Sequence, residues 1–262
     1  MANKHGDFIW YELLTDNTDL AQSFYGNVLD WEFNDSGQAE MDYTIITAKA
    51  SADIGGMLQI TPEMRAGGAQ PIWLGYIAAD DVDACIERII TAGGTEIMPA
   101  TDIPDIGRIA MVSDPQGALF YIMRGLSDEA SLAFAADHPR DGHCAWNELM
   151  SSNPAGARSF YGKEFGWIKD GEMDMGPMGT YEFLRHDHMI GAIMPSPEAM
   201  PRPMWNYYFR VADIDIAVEK VKAGGGTILT GPDPIPGDEY TIQGLDPQGA
   251  VFSLVGQRKA GT

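Results

Sequence analysis

The chain repeats itself at long range. Trp-Tyr-Glu-Leu-Leu at Trp10–Leu14 returns as Trp-Asn-Glu-Leu-Met at Trp146–Met150, and Ser-Phe-Tyr-Gly at Ser23–Gly26 returns at Ser159–Gly162, both 136 residues later. Asp-Pro-Gln-Gly-Ala at Asp114–Ala118 returns at Asp246–Ala250, and Gly-Gly-Thr at Gly93–Thr95 at Gly225–Thr227, now 132 residues later. A period this long implies two copies of a whole domain, because solenoid units repeat every ~20–50 residues. Whatever one half builds the other builds too, so each difference between them carries information. We expect domains at 1–126 and 142–262, joined by a linker at 127–141 that contains Ser-Asp-Glu-Ala-Ser.

A hydrophobic fraction of 45% with 10% aromatics suits a chain that buries a core. No apolar run approaches the ~18 residues of a membrane span, and the first residues lack the apolar stretch of a signal peptide. Cys85 and Cys144 occupy unlike places in the repeat and read as free thiols. A cytoplasmic protein is expected, as a monomer or a homodimer. The net charge of −21 disfavours nucleic acid and anionic membranes as partners and would favour a cationic ligand.

Within the first half, Phe8–Leu14 reads as a largely buried strand. A helix over Thr18–Leu29 follows from Leu20, Phe24 and Val28 at four-residue spacing, capped by Asn17 or Thr18. Tyr43–Thr47 and Ile54–Ile60 read as a hairpin turning through residues 48–53. The unit then starts again, with a strand at Trp73–Ala78, a helix marked by Val82, Ile86 and Ile89 after Asp80 or Asp81, and a stop at Gly93 and Gly94. Strands at Ile109–Ser113 and Leu119–Met123 flank an Asp-Pro-Gln-Gly turn. Each half is thus two strand-helix-strand-strand modules. The second half supplies the same elements at Cys144–Met150, Ala157–Phe165, Tyr181–Arg185, Met189–Met194, Trp205–Val211, Ile214–Ala223, Tyr240–Gly244 and Val251–Val255.

These motifs, with Leu29–Trp31 or Phe165–Trp167 after Ser-Phe-Tyr-Gly and Asp80–Asp83 or Asp213–Asp215 before the later helix, resemble the vicinal oxygen chelate superfamily. That superfamily includes glyoxalase I, bleomycin-resistance proteins, fosfomycin-resistance enzymes and extradiol dioxygenases; Trp-Xaa-Glu-Leu looks like its two-domain glyoxalase-like subgroup. The resemblance implies an α+β protein of two tandem domains, each of two βαβββ-type modules forming a curved half-barrel sheet with outer helices. It also implies a divalent metal held by His or Gln, His and Glu. Counting from the motifs places those ligands at Trp10, Leu74 and Tyr121, and at Trp146, Asn206 and Ser253. None offers an imidazole or carboxylate, so no cofactor is expected and the metal-dependent activities are in doubt. A slip of one or two positions would bring in Glu12 and Glu148, still without the histidines.

Alternation along a strand puts Trp10 with Glu12, Leu74 with Tyr76, Trp146 with Glu148, and Asn206 with Tyr208 and Arg210. With the resemblance placing those faces in the hollow of each sheet, Trp10, Glu12, Tyr76, Tyr121, Trp146, Glu148, Asn206, Tyr208 and Arg210 are the expected ligand contacts. Indole and phenol would supply stacking area, and Glu an orienting charge. Arg210, which replaces Ala78, is placed to pair with Glu148 and leave Glu12 for a cationic ligand or for work as a base. The leading reading is a binder of a small, partly aromatic or apolar organic molecule without the family metal; a first cavity that favours cations would suit sequestration in the manner of bleomycin resistance. The alternative is catalysis, as a glyoxalase-like lyase or isomerase or an oxygenase, with Glu12 or Glu148 as base or an unrecognised metal site. His186 and His188 align with Ala50 and Ala52 and are expected in an exposed turn, His143 at a solvent-facing strand end or the cavity rim, and His5 and His138 in tail or linker. Met173, Met175 and Met178 mark a loop that either packs on the sheet or covers the second cavity.

Overall fold

The computed structural model of the protein describes residues 3–38, 42–49, 51–135, 138–197 and 202–259, so Ala50 and two residues of the expected linker lie outside the described residues. Four modules follow one another, each a strand, a helix and three more strands. The first holds β1 (Phe8–Thr15), α1 (Thr18–Leu29), β2 (Glu32–Asp35), β3 (Tyr43–Thr47) and β4 (Asp53–Gln59). After a short helix α2 (Pro62–Ala66), the second holds β5 (Ile72–Ala78), α3 (Val82–Thr91), β6 (Thr95–Ile103), β7 (Gly107–Ser113) and β8 (Leu119–Gly125). The third holds β9 (Cys144–Ser151), α4 (Pro154–Phe165), β10 (Ile168–Asp174), β11 (Thr180–His186) and β12 (His188–Pro195). The fourth holds β13 (Met204–Val211), α5 (Ile214–Ala223), β14 (Thr227–Ile235), β15 (Glu239–Leu245) and β16 (Val251–Gln257).

The strands form two open mixed sheets of eight, in the orders β2-β3-β4-β1-β5-β8-β7-β6 and β10-β11-β12-β9-β13-β16-β15-β14. The architecture is the expected α+β class in two tandem copies. It departs from the strand-helix-strand-strand pattern read from the residues by one strand per module: β2, β6, β10 and β14. Each is an edge strand whose side chains are mostly exposed, so it carries no apolar run to betray it. Helix α1 begins where its cap requires, with the Asn17 side chain accepting from the Leu20 amide. Its buried face is Ala21, Phe24, Tyr25, Val28 and Leu29, however, and Leu20 points outward at 55% exposure.

By compactness the chain forms two units. One consists of Met1–Trp10, Leu74–Ser131 and Trp146–Asn206, the other of Tyr11–Trp73, Leu132–Ala145 and Tyr207–Thr262. Each combines modules from both halves, and the recurring motifs are what join them. In the second unit, Trp73 Nε1 donates to the Tyr25 hydroxyl at 2.9 Å, which donates to Asp246 Oδ2 at 3.2 Å. In the first, Trp205 Nε1 donates to Tyr161 at 3.0 Å, and Tyr161 to Asp114 Oδ2 at 3.3 Å. So the tyrosine of Ser-Phe-Tyr-Gly in one half is bonded to the aspartate of Asp-Pro-Gln-Gly in the other. The same aspartates tie their own turns, accepting from the backbone amides of Gln116 and Ala118 and of Gln248 and Ala250. Burial holds both carboxyls above their usual range and the Tyr25 phenol well above its own. Rings close around the chains: Trp167 stacks on Tyr161 at 5.1 Å, and Trp31 on Tyr25 at 5.7 Å.

Two glycines set the inner strands. Gly55 on β4 and Gly191 on β12 lie so close to their parallel neighbours that a Cβ would strike the carbonyl oxygen of Tyr11 or Asn147. That approach keeps β4 on β1 and β12 on β9 in the register that fixes the site below.

Candidate functional site

Glu148 lies in β9 opposite Ala192 on β12, and Phe183 on β11 lies opposite the same Ala192. Tyr181, two residues before Phe183, therefore projects from the same sheet face as Glu148. Its hydroxyl donates to Glu148 Oε2 at 2.8 Å and accepts from Trp146 Nε1 at 2.8 Å. Asn206 Nδ2 stands 3.5 Å from Glu148 Oε1. Glu148 is 4% exposed and Asn206 1%, whereas Trp146 and Tyr181 are half-buried, so the indole and phenol lead from the surface to a buried carboxylate. Phe183 closes edge-on against both rings. This cluster, wholly within the first unit, brings together Trp146, Glu148 and Asn206 of the expected residues and adds Tyr181. Met173 on β10 sits opposite Tyr181 in register, Met175 bonds back to Gly179 through its amide, and Met178 is exposed.

The first unit also holds Tyr76 and Tyr121, register partners on β5 and β8, whose buried rings stack at 4.3 Å and 22°. Trp10 is half-buried in this unit. A surface cleft here, lined by His5, Asp80, Arg124, Ser127 and Asp128 among others, includes none of the expected contact residues.

In the second unit Glu12 is 3% exposed and lies opposite Gly56 in register. A Cβ on Gly56 would collide with the Tyr43 hydroxyl, so that phenol lies directly over Gly56, beside Glu12. Tyr43 thus holds the place in the first copy that Tyr181 holds in the second. Both went unnoticed in the sequence, although Tyr-Thr-Ile at Tyr43–Ile45 and Tyr-Glu-Phe at Tyr181–Phe183 repeat at a nearby offset of 138. Arg210 does not serve as the expected partner of Glu148: its guanidinium makes a bidentate pair with Glu239 on β15, including a bond of 3.1 Å from Nη2 to Oε2. Strand pairing decides this, because β13 and β15 flank β16 and carry Arg210 and Glu239 to neighbouring positions. Tyr208 accepts from Gln243 Nε2 at 3.0 Å, and Ser253, opposite Tyr208 in register, is fully buried.

His143 does not face solvent as expected. His143 is fully buried, with Nδ1 2.6 Å from the Leu132 carbonyl and Nε2 2.9 Å from the Ser51 hydroxyl. Since a carbonyl can only accept, Nδ1 carries the proton and Nε2 accepts from Ser51. Burial chiefly, with Arg140 nearby, pulls its pKa down. Residues 133–135, bonded to Cys144, supply the cover that the sequence did not announce. His186 is held by Asp7 Oδ1 at 3.1 Å, and His5 bonds the Glu164 carbonyl at 2.7 Å and stacks on Phe165. His138 is exposed. Both cysteines are buried thiols outside any disulfide, and burial drives the Cys85 thiol up to about 11.

The ligand positions implied by the resemblance carry indole at Trp10 and Trp146, isobutyl at Leu74, a stacked phenol at Tyr121, an amide at Asn206 and a buried hydroxyl at Ser253. That donor set does not fit a divalent ion, which takes imidazole and carboxylate. Among the described residues no three His, Cys, Asp or Glu side chains gather as a metal site. Nor is any helix there long and apolar enough to cross a membrane.

The family model described as Glyoxalase/Bleomycin resistance protein/Dioxygenase superfamily matches residues 8–122 and 141–254. CFP32 of Mycobacterium bovis, provisionally named a glyoxylase, is 32% identical over 94% of this chain and 93% of its own length. The anthracycline biosynthesis protein DauV of Streptomyces sp. strain C5 is 29% identical over 96% of this chain and 93% of its own. Among solved structures, the Mn(II)-bound glyoxalase of Novosphingobium aromaticivorans superposes with a TM-score of 0.66 at 18% identity, covering 97% of this chain and 83% of that one. The 2,2',3-trihydroxybiphenyl 1,2-dioxygenase of Sphingomonas wittichii gives 0.67 at 14%, covering 97% and 91%.

Proposed function

Because the chain belongs to the glyoxalase/bleomycin resistance protein/dioxygenase superfamily, we propose that it uses the family's sheet face to bind a small aromatic organic molecule, without the family's metal. The observation that carries this reading is the chain from Trp146, the position at which the resemblance implies a metal ligand, through Tyr181 to buried Glu148. An indole and a phenol with their polar ends turned toward a carboxylate present apolar ring surface to a ligand, and the carboxylate accepts a hydrogen bond from it. The donor set at the expected ligand positions supports the absence of a resident ion. The name of DauV, an anthracycline biosynthesis protein, supports a fused aromatic ligand.

The test uses 1,4-dihydroxyanthraquinone as probe, followed by quenching of tryptophan fluorescence, with elemental analysis of the purified protein. Saturable quenching that Glu148→Gln weakens about tenfold is expected, in line with loss of one hydrogen bond to a charged group. Stoichiometric manganese, zinc, nickel or iron, or a glyoxalase or ring-opening turnover lost in Glu12→Gln or Glu148→Gln, would move the protein to the catalytic alternative. The name of CFP32 favours that second reading.

A further inference from the structure

Ala78 and Arg210 hold the same place in the two copies. The amides of Gly6 and Gly142 donate to their carbonyls at 2.9 and 2.8 Å, and their own amides donate to the carbonyls of Asp7 and His143 at 2.8 and 2.9 Å. In the second copy the Arg210 side chain, 13% exposed, occupies that place with its partner Glu239. The first copy has a methyl group there, at Ala78, and Gly107 where Glu239 stands. Against Ala78 lies the surface cleft of about 170 Å³, wholly within the first unit. Buried Ile9, Ala78 and Ala79 give it an apolar base, and the largely exposed Leu126 stands at its rim.

Charges of both signs meet over that base. Arg124 reaches Asp80 only at 3.7 Å and both side chains are exposed, so each keeps capacity for a ligand. Asp128 adds a second carboxylate. Asn3 turns Oδ1 to the Ser131 amide at 2.7 Å, because that amide can only donate, and so has Nδ2 left as a donor. His5 is spent on the wall: Nε2 donates to the Glu164 carbonyl at 2.7 Å, and Nδ1 accepts from the Asp80 amide at 3.3 Å. The positions of Asp80 and Arg124 in the second copy hold Ala212 and Gly256, so these charges accompany the open cleft and not the closed one.

We propose that this cleft binds a small zwitterion, an amino acid with an aliphatic side chain. Its carboxylate meets Arg124 and the Asn3 amide, its ammonium meets Asp80 and Asp128, and its side chain covers Leu126 and the apolar base. A plain cation would face Arg124 and a plain anion the two aspartates, whereas a zwitterion satisfies both, as the Arg210–Glu239 pair satisfies itself in the other copy. The volume is below the ~300–1,000 Å³ of pockets for drug-sized ligands, which limits the occupant to a few heavy atoms. None of Trp146, Tyr181 and Glu148 lines the cleft, and the proposal does not rest on the reading of that cluster.

The experiment is saturation-transfer NMR on the full chain with L-leucine, beside 3-methylbutylamine and 4-methylpentanoate, which keep its side chain and lack the carboxylate or the ammonium. Leucine binds wild type saturably, in the millimolar range that so small a ligand reaches. Each analogue binds about fivefold more weakly, the loss of one half-exposed ionic contact. Arg124→Ala weakens leucine by a similar factor and leaves quenching by 1,4-dihydroxyanthraquinone unchanged, and Ala78→Met fills the cleft and abolishes leucine binding. Absence of saturable leucine binding overturns the proposal, as does an analogue that matches leucine or an Arg124→Ala variant that binds it as wild type does. Loss of anthraquinone binding in Arg124→Ala would merge the two sites and also overturn it. If Ala78→Met fails to fold, Arg124→Ala and the analogues decide. Anthraquinone failing in wild type while leucine binds sinks the fused-aromatic reading alone.

Discussion

Replacing Tyr181 by Phe removes one oxygen and leaves the ring in place. That oxygen is the donor to Glu148 at 2.8 Å and the acceptor of the Trp146 indole at 2.8 Å. A hydrogen bond to a charged group contributes ~1.5–3 kcal/mol, and Glu148 is too buried to recover it from water. Trp146 is half-buried, so its N–H can turn to solvent at a cost of at most ~1 kcal/mol. The expected loss is about 2–3 kcal/mol. Urea unfolding, followed by tryptophan fluorescence and by circular dichroism, measures it and shows whether one transition or two are present. Pairing the change with Glu148→Gln isolates the bond: the double variant loses about 1–2 kcal/mol less than the sum of the singles. A loss below ~0.5 kcal/mol, or strict additivity, would show that Glu148 does not depend on the phenol.

The twin chains through Tyr25 and Tyr161 make matched predictions: Tyr25→Phe and Tyr161→Phe each orphan a buried indole N–H and should each cost ~1–3 kcal/mol in chemical denaturation. A substitution without effect would show that the linkage between motifs is incidental. Asp114 and Asp246 have folded pKa values raised by burial. Their contribution is full below the unfolded value of ~3.9 and is lost as pH rises through the folded value, so Asp114→Asn should flatten that part of a Tm-against-pH profile. His143 has the opposite sign on the acid side: its lowered folded pKa gives stability that is present above the unfolded ~6.5 and lost as pH falls through the folded value. His143→Gln should remove that acid-side decline, and an unchanged profile would refute the assignment. Gly56→Ala must displace the Tyr43 phenol and should destabilise the first copy, whereas Ala192→Gly at the matching place in the second should cost no more than ~1 kcal/mol.

The amino-acid sequence by itself determined the duplication, the α+β class, the family and the inner strands and helices of each module. Motif order and apolar periodicity are written in residue identity, and α5 begins and ends where its pattern says it should. It also put Trp146 and Glu148 on one face, since alternation along a strand is a local rule, whereas sheet pairing of β9 with β13 brought Asn206 to them. Tertiary structure alone decided who meets whom. Strand register, with the close approach at Gly191 holding β12 on β9, put Tyr181 on Glu148, and the pairing of β13 and β15 on β16 gave Arg210 to Glu239. Packing between modules of opposite halves joined Tyr25 to Asp246 and buried His143, and no local pattern announces a partner ~90–220 residues away whose position depends on loop closure and sheet pairing. The edge strands β2, β6, β10 and β14 exist because a neighbour offers hydrogen bonds, and their exposed side chains left nothing apolar to read.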